Sequence, residues 1–108
     1  MTINPRGRVP ALVTEEHGTI TEAPAILFYL ADLTKNHDFM PPIRTAERYE
    51  IMQWMAYLSS TIHPAFARLW RAERFTNDAD TTDAIKQSAA SFLEAEFAYI
   101  DHQVGNRK

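Results

Sequence analysis

The chain has 108 residues, a net charge of −3 at neutral pH and no cysteine. Its 45% hydrophobic and 23% charged residues are typical of a folded globular protein and exclude a disordered tail. Basic residues are interspersed with acidic ones, no apolar run reaches the length of a membrane span, and no thiol exists for disulfide or cysteine chemistry. We therefore expect no nucleic-acid partner, no membrane partner and a cytoplasmic location.

The first twenty residues predict a turn followed by a β-hairpin. Residues 4–7 (NPRG) form the turn, since proline pre-sets φ at its second position and glycine accepts a left-handed conformation. A short strand is predicted over 8–14, with Pro10 as an unusual residue inside it. The sequence EEHG at 15–18 then predicts a tight hairpin turn, and 19–21 the returning strand.

A helix is predicted next, capped by Thr21 or Glu22 and running to about Leu33. Pro24 is tolerated there because the amides of the first turn have no partner within the helix. Apolar residues recur at helical spacing, namely Ile26, Leu27, Tyr29, Leu30 and Leu33. Residues 35–43 lack periodicity and contain two prolines, which predicts a linker.

Two further helical regions are predicted after the linker. Residues 45–74 carry apolar residues over most of the helix circumference, which favours a helix buried between neighbours. Pro64 cannot donate to the carbonyl of Ser60, so we expect a kink or break there. After a polar stretch at 76–80, another helix is predicted to end at Gly105.

Several motifs in this order resemble the glutathione S-transferase superfamily, most closely its bacterial beta class. The spacing of the first two motifs is the specific signal, because either motif alone would be weak. The matching segments are NPRGRVPAL at 4–12, TEA at 21–23, AI at 25–26, YLAD at 29–32, PP at 41–42, RY at 48–49, QWM at 53–55 and IHPAF at 62–66.

This resemblance implies an α+β, mostly helical fold made of parts of two domains. Residues 1–34 would be the second half (β-β-α) of a thioredoxin-like domain, 35–43 the linker, and 44–108 the first helices of an all-helical domain. It also implies a fragment truncated at both ends. The family's first strand, first helix and second strand would precede Met1, and a buried helix with a Ser/Thr-x-x-Asp cap would follow Lys108.

Four residues are candidates for binding glutathione, by resemblance to the family. Val9 and Pro10 match its cis-proline site, where the exposed main chain pairs with the cysteinyl part of glutathione. In isolation an ordinary trans proline would be the simpler interpretation; the motif favours cis. Glu22 and Ala23 match the acid–serine pair that holds the γ-glutamyl end, with alanine replacing serine. Glu22 could equally be a plain acidic residue at a helix start.

A catalytic residue cannot be assigned, because the family places it in the segment before Met1. His63 aligns with a histidine near the active site of many beta-class members. It is followed by Pro64 rather than a basic residue, and a packing role is an equal alternative. Three other histidines lack metal-ligand spacing and are interpreted as surface residues: His17, His37 and His102. We expect no metal and no cofactor, with glutathione as co-substrate.

Other side chains are open to a structural or a functional interpretation. The arginines at 44, 48, 68, 71 and 74 could line an anion groove, but their alternation with glutamates favours ion pairs on helix surfaces. Trp54, Phe66 and Trp70 could line an electrophile pocket, but aromatic residues at helical spacing are usually core.

Two functions follow as expectations. The first is a glutathione transferase whose parent protein conjugates or reduces small hydrophobic electrophiles, this chain itself being inactive. The second is a non-catalytic, transferase-like binding or dimerisation module, and a homodimer is expected in either case.

Overall fold

A computed structural model describes residues 3–34, 37 and 39–106. The chain forms two compact units, Met1–Ala56 (unit 1) and Tyr57–Lys108 (unit 2). Unit 1 contains a β-hairpin and two helices, whereas unit 2 is helical. The predicted fold class, α+β and mostly helical, is confirmed. The domain boundaries stay a prediction, and its linker residues 35, 36 and 38 lie outside the described residues.

The hairpin of unit 1 pairs β1 (Ala11–Thr14) with β2 (Gly18–Thr21) in antiparallel register. Gly18 has a φ of 68°, which suits its place at the end of the turn. The hydroxyl of Thr14 donates to the Gly18 carbonyl at 3.0 Å and accepts the His17 amide at 3.0 Å. The prediction that the strand begins at residue 8 is wrong, because β1 begins only after the proline at position 10.

Helix α1 (Ala23–Thr34) follows the hairpin directly. Its first hydrogen bond runs from the Ile26 amide to the Glu22 carbonyl at 3.1 Å. At the other end, the Thr34 hydroxyl donates to the carbonyl of Ala31 at 2.8 Å. The predicted helix is confirmed to within one residue at each end, and it buries Ile26.

Helix α2 (Ala46–Tyr57) carries Arg48, which connects three parts of unit 1. Its guanidinium donates to the Pro41 carbonyl at 3.0 Å and to the two carboxylate oxygens of Asp32 at 3.3 and 3.5 Å. The side chain of Arg48 is only 17% exposed. The pair therefore joins α2 to α1 and to the linker, instead of following the surface of one helix as we predicted.

The prediction that α2 is buried between neighbours is wrong for the described structure. None of its twelve residues is buried, and the Tyr49 side chain is 58% exposed. Helical periodicity of apolar residues marks a face that can be covered, but it does not specify what covers it.

In unit 2, the chain passes through a π-helical turn (Leu58–Ile62) into α3 (His63–Trp70). The His63 amide bonds to the Leu58 carbonyl, five residues back. Pro64 has no amide hydrogen, so the α-helical bond to Ser60 cannot form at this point. The predicted break does not occur, because Ile62 and His63 both keep right-handed helical φ and ψ angles; the irregularity near Pro64 is the π-helical turn.

A short 3₁₀ turn (Ala72–Arg74) leads to the long helix α4 (Ala79–Gly105). Asp78 caps α4, because its carboxylate accepts the Thr81 amide at 2.8 Å and the Thr81 hydroxyl at 2.6 Å. These bonds stabilise the carboxylate and lower the pKa of Asp78.

The core of unit 2 lies between α3 and α4. Ile62, Ala65 and Leu93 are buried together, and the half-buried side chains packed against them are Tyr57, Phe66, Leu69 and Ile100. Among the described residues, no helix combines the length and the apolar character that crossing a membrane requires.

Candidate functional site

The turn before β1 is fixed by the side chain of Asn4. Its Oδ1 accepts the Arg6 amide at 3.0 Å, and its Nδ2 donates to the Arg8 carbonyl at 2.7 Å. The Gly7 amide closes the turn on the Asn4 carbonyl at 3.0 Å, with a Gly7 φ of 62°. Three hydrogen bonds from one residue thus hold the main chain that leads to Val9.

The peptide bond between Val9 and Pro10 is cis, as the sequence motif predicts. Both residues are exposed, and Val9 as a whole is 93% exposed. They precede β1 and lie outside the hairpin ladder, whose first pair is Ala11 with Thr21. The main chain at Val9 is therefore not used by the hairpin.

Glu22 occupies the junction between β2 and α1 in a left-handed conformation, with a φ of 70°. Only a small fraction of residues other than glycine adopt this conformation. The Glu22 carboxylate is 69% exposed and lies 3.1 Å from the guanidinium of Arg6, Oε1 to Nη1. This ion pair connects the start of α1 to the turn that precedes Val9.

Ala23 is the first residue of α1 and is exposed. The first amides of a helix carry a partial positive charge and lack partners within the helix, which favours an anion at this end. Two donors that other residues would supply are missing here. Ala23 has no hydroxyl, and Pro24 has no amide hydrogen.

Of the predicted site residues, Glu22 and Ala23 are neighbours at the start of α1, and Arg6 links Glu22 to the turn before Val9 and Pro10. The sequence motif contains Arg6, but no role could be given to it, because its contact with Glu22 spans sixteen residues. The only hint of this contact in the sequence was that the first motif contains a cation, Arg6, and the second an acid, Glu22.

His63 lies in unit 2, as the first residue of α3, and is exposed. The alternative of a buried, hydrogen-bonded packing histidine therefore lacks support. The other histidines are exposed: His17 lies edge-to-face with Tyr29 at 5.6 Å, and His102 lies 3.0 Å from the side chain of Asn106. In the described part of the chain, no group of three or more acidic or histidine side chains could hold a metal ion.

The aromatic candidates divide between core and surface. Phe66 packs against the core of unit 2, as the core interpretation predicts, and the centroid of its ring is 6.0 Å from that of Phe97. The ring centroids of Trp70 and Phe66 are 4.6 Å apart, but Trp70 is 68% exposed. Trp54 is half-buried in unit 1.

Unit 2 contains a polar contact in which the hydroxyl of Tyr57, its first residue, donates to the Glu96 carboxylate on α4. The ring of Tyr57 lies edge-to-face with Tyr99 at 5.9 Å. Burial, the hydrogen bond to Glu96 and the nearby negative charge raise the pKa of Tyr57 to about 12. At neutral pH this phenol is a proton donor within unit 2 and is not available as a phenolate.

An apolar groove of about 360 Å³ lies in unit 1 between α1, the following segment and α2. Its lining includes Leu27, Leu30, Phe39, Met40, Ile51 and Met55. Leu27 is 52% and Leu30 is 42% exposed, so this face of α1 is open in the chain as described.

Comparison with known proteins gives one family throughout. Residues 1–32 match the model of the glutathione S-transferase N-terminal domain. Glutathione S-transferase GstA of Escherichia coli O157:H7 is 30% identical over 99 residues, which are 92% of this chain and 46% of the relative.

Two solved structures extend the similarity to the fold. A bacterial beta class glutathione S-transferase of Sphingomonas chungbukensis has a TM-score of 0.78 and 30% identity, covering 97% of this chain and 49% of that one. A sphingomonad glutathione S-transferase complexed with glutathione has a TM-score of 0.79 and 31% identity, again covering 97% and 49%. The chain spans about half the length of these relatives. These matches run through both units, and on them the chain is a glutathione S-transferase-like protein.

Proposed function

We propose that this chain binds glutathione through the main chain at Val9 and Pro10 and through the start of α1 at Glu22 and Ala23. The observation that carries the proposal is the contact between the two motifs, since Arg6 joins Glu22 to the turn before Val9 at 3.1 Å. A similar sphingomonad protein is complexed with glutathione, which supports the choice of ligand.

Each proposed contact has a physical basis in unit 1. The Glu22 carboxylate pairs with the ammonium group of the γ-glutamyl end, and the amide of Ala23 faces the carboxylate beside that ammonium. The exposed main chain at Val9 pairs with the cysteinyl part as an added strand would, because β-augmentation needs only free N–H and C=O groups.

Binding is proposed to be weaker than in a family member with serine at position 23. A hydrogen bond to a charged group contributes roughly 1.5–3 kcal/mol, and Ala23 cannot make it. Calorimetric titration of glutathione into the Ala23→Ser variant should show affinity roughly ten- to a hundredfold higher than that of the unchanged chain. Ala25→Ser, an exposed alanine in the same turn, is the matched control and should leave affinity unchanged.

We further propose that the chain binds glutathione without accelerating its reaction, whereas the conjugation or reduction of small electrophiles belongs to the longer proteins of the family. A glutathione thiolate must be stabilised by a hydrogen-bond donor or a positive charge to exist in quantity at neutral pH. None of the four proposed contact residues carries a thiol or a hydroxyl group.

The test combines a titration with an assay. Glutathione should bind in calorimetry, and a chloronitrobenzene acceptor should react with glutathione at the same rate with and without the chain. Turnover by the chain would contradict the inactive assignment, with His63→Ala the first variant to examine. No binding at millimolar glutathione would contradict the whole proposal.

The alternative, a non-catalytic association module that forms homodimers, is favoured by the open face of α1. Leu27, Leu30 and Leu33 are 52%, 42% and 57% exposed, which is unusual for three leucines on one helix. Sedimentation at increasing concentration should then show dimers, and Leu27→Gln with Leu33→Gln should shift them to monomers. A monomer at every concentration, together with glutathione binding, would exclude this alternative.

A further inference from the structure

The start of α1 is poor in hydrogen-bond donors for a carboxylate. A side-chain hydroxyl is absent at Ala23, and an amide hydrogen is absent at Pro24. A helix start binds an anion through its free backbone amides and the positive end of its dipole. A carboxylate at this position of unit 1 therefore needs another donor.

Arg6 is placed to be that donor. It stands in the turn that Asn4 fixes with hydrogen bonds of 3.0 and 2.7 Å, so the position of its main chain is defined. One of its guanidinium nitrogens, Nη1, is 3.1 Å from Glu22, and the side chain is 71% exposed. A guanidinium has five N–H donors in a planar fork, so a single contact with Glu22 leaves a second edge for another acceptor.

We propose that Arg6 and Glu22 together recognise the zwitterionic end of the γ-glutamyl group. Glu22 takes the ammonium and Arg6 takes the neighbouring α-carboxylate, in place of the missing serine hydroxyl at Ala23. This inference rests on the proposed function and assigns to Arg6 the selection of the α-carboxylate within it.

Charge complementarity distinguishes this assignment from simpler ones. A lone arginine would select any anion, and a lone glutamate any cation. A guanidinium and a carboxylate in contact have opposite charges side by side, which matches a ligand with an ammonium and a carboxylate on one carbon atom. Arg6 and Glu22 lie 3.1 Å apart, Nη1 to Oε1, so both side chains can contact the two charged groups of one amino-acid end.

The test compares glutathione with two analogues, one lacking only the α-carboxylate (γ-aminobutyryl-cysteinyl-glycine) and one lacking only the α-amino group (glutaryl-cysteinyl-glycine). Affinities are measured by calorimetry or NMR titration of the 108-residue chain. Arg6→Ala should weaken glutathione binding by about three- to tenfold, as expected for a charge-assisted bond at an exposed site. The same variant should leave the affinity for the analogue without carboxylate unchanged. Arg6→Lys keeps the charge but loses the planar fork of donors, so its affinity for glutathione should lie between those of the unchanged chain and of Arg6→Ala.

Two further variants sharpen the test. Glu22→Gln should weaken glutathione but not the analogue without the amino group. Arg74→Ala, the same change of charge at an exposed arginine of unit 2, should leave every affinity unchanged. An equal loss for glutathione and the analogue without carboxylate in Arg6→Ala would overturn the role of Arg6, as would no loss at all, while the proposed function would stand. Failure of the unchanged chain to bind glutathione would overturn both.

Discussion

Units 1 and 2 are organised by different interactions. In unit 1 the buried apolar side chains among the described residues are Ile26 and Met40, and polar contacts such as those of Arg48 with Asp32 and of Arg6 with Glu22 join its segments. In unit 2 the buried set is larger, comprising Ile62, Ala65, Ala72, Ala89 and Leu93, and two helices pack around it. An apolar core tolerates replacement of one apolar side chain by another of similar volume, whereas a directional polar contact depends on individual atoms. The part of the chain proposed to bind glutathione is thus the part whose geometry depends on few residues.

The largest expected effect comes from opening the core of unit 2. Leu93 is 5% exposed and packs between α3 and α4, so Leu93→Ala should lower the free energy of unfolding by about 2–5 kcal/mol. Urea denaturation followed by circular dichroism measures this change. Phe92→Ala, at a neighbour that is 40% exposed, is the control and should cost less than half as much. Equal losses for both variants would contradict the assigned core.

A smaller effect is expected in unit 1 from Arg48→Ala. This change leaves the Pro41 carbonyl and the Asp32 carboxylate without the guanidinium, and should lower stability by about 1–2 kcal/mol. Hydrogen exchange should rise in α1 and in the segment after it, more than in α4. Arg48→Lys retains the charge and should recover only part of the loss. A rise in exchange that is uniform along the chain would show that Arg48 does not act on unit 1 in particular.

The smallest effect concerns the polar contact of unit 2 and appears only at high pH. The pKa of Tyr57 is about 12 in the folded chain and about 10 in the unfolded chain, so the folded state holds the proton more tightly. The stability from this proton is fully present below pH 10 and is lost as the pH rises through 12. Tyr57→Phe should therefore flatten the decline in melting temperature between these values. If the melting temperature of Tyr57→Phe declined as steeply as that of the unchanged chain, the decline would come from other titrating groups.

The sequence predicts the elements well where local chemistry decides them. The turn with Gly7, the hairpin turn at Gly18 and the start of α1 are set by residues within a few positions of each other. The π-helical turn before Pro64 agrees with the amide hydrogen that this residue lacks. The Asp78 cap was not predicted, although aspartate directly before a helical stretch is a known N-cap signal.

Contacts between distant segments could not be predicted in this way. Arg48 was expected to pair along its own helix, but it pairs with Asp32, sixteen residues earlier. The contact between Arg6 and Glu22 also spans sixteen residues and was missed for the same reason. Local periodicity does not encode which of several exposed acids a long, flexible cation will meet. The resemblance to the family located Glu22 but carried no information on Arg6.

The left-handed backbone conformation at Glu22 affects which residue directed evolution would select at this position. Glycine, and to a smaller degree asparagine, adopts this conformation at lower cost than glutamate. A library of variants sorted only for resistance to heat should therefore enrich Glu22→Gly and Glu22→Asn, whereas a library sorted for capture on immobilised glutathione should retain the acid. The two selections would diverge at this one position, and the extent of their divergence would measure how much folding stability the ligand contact has cost.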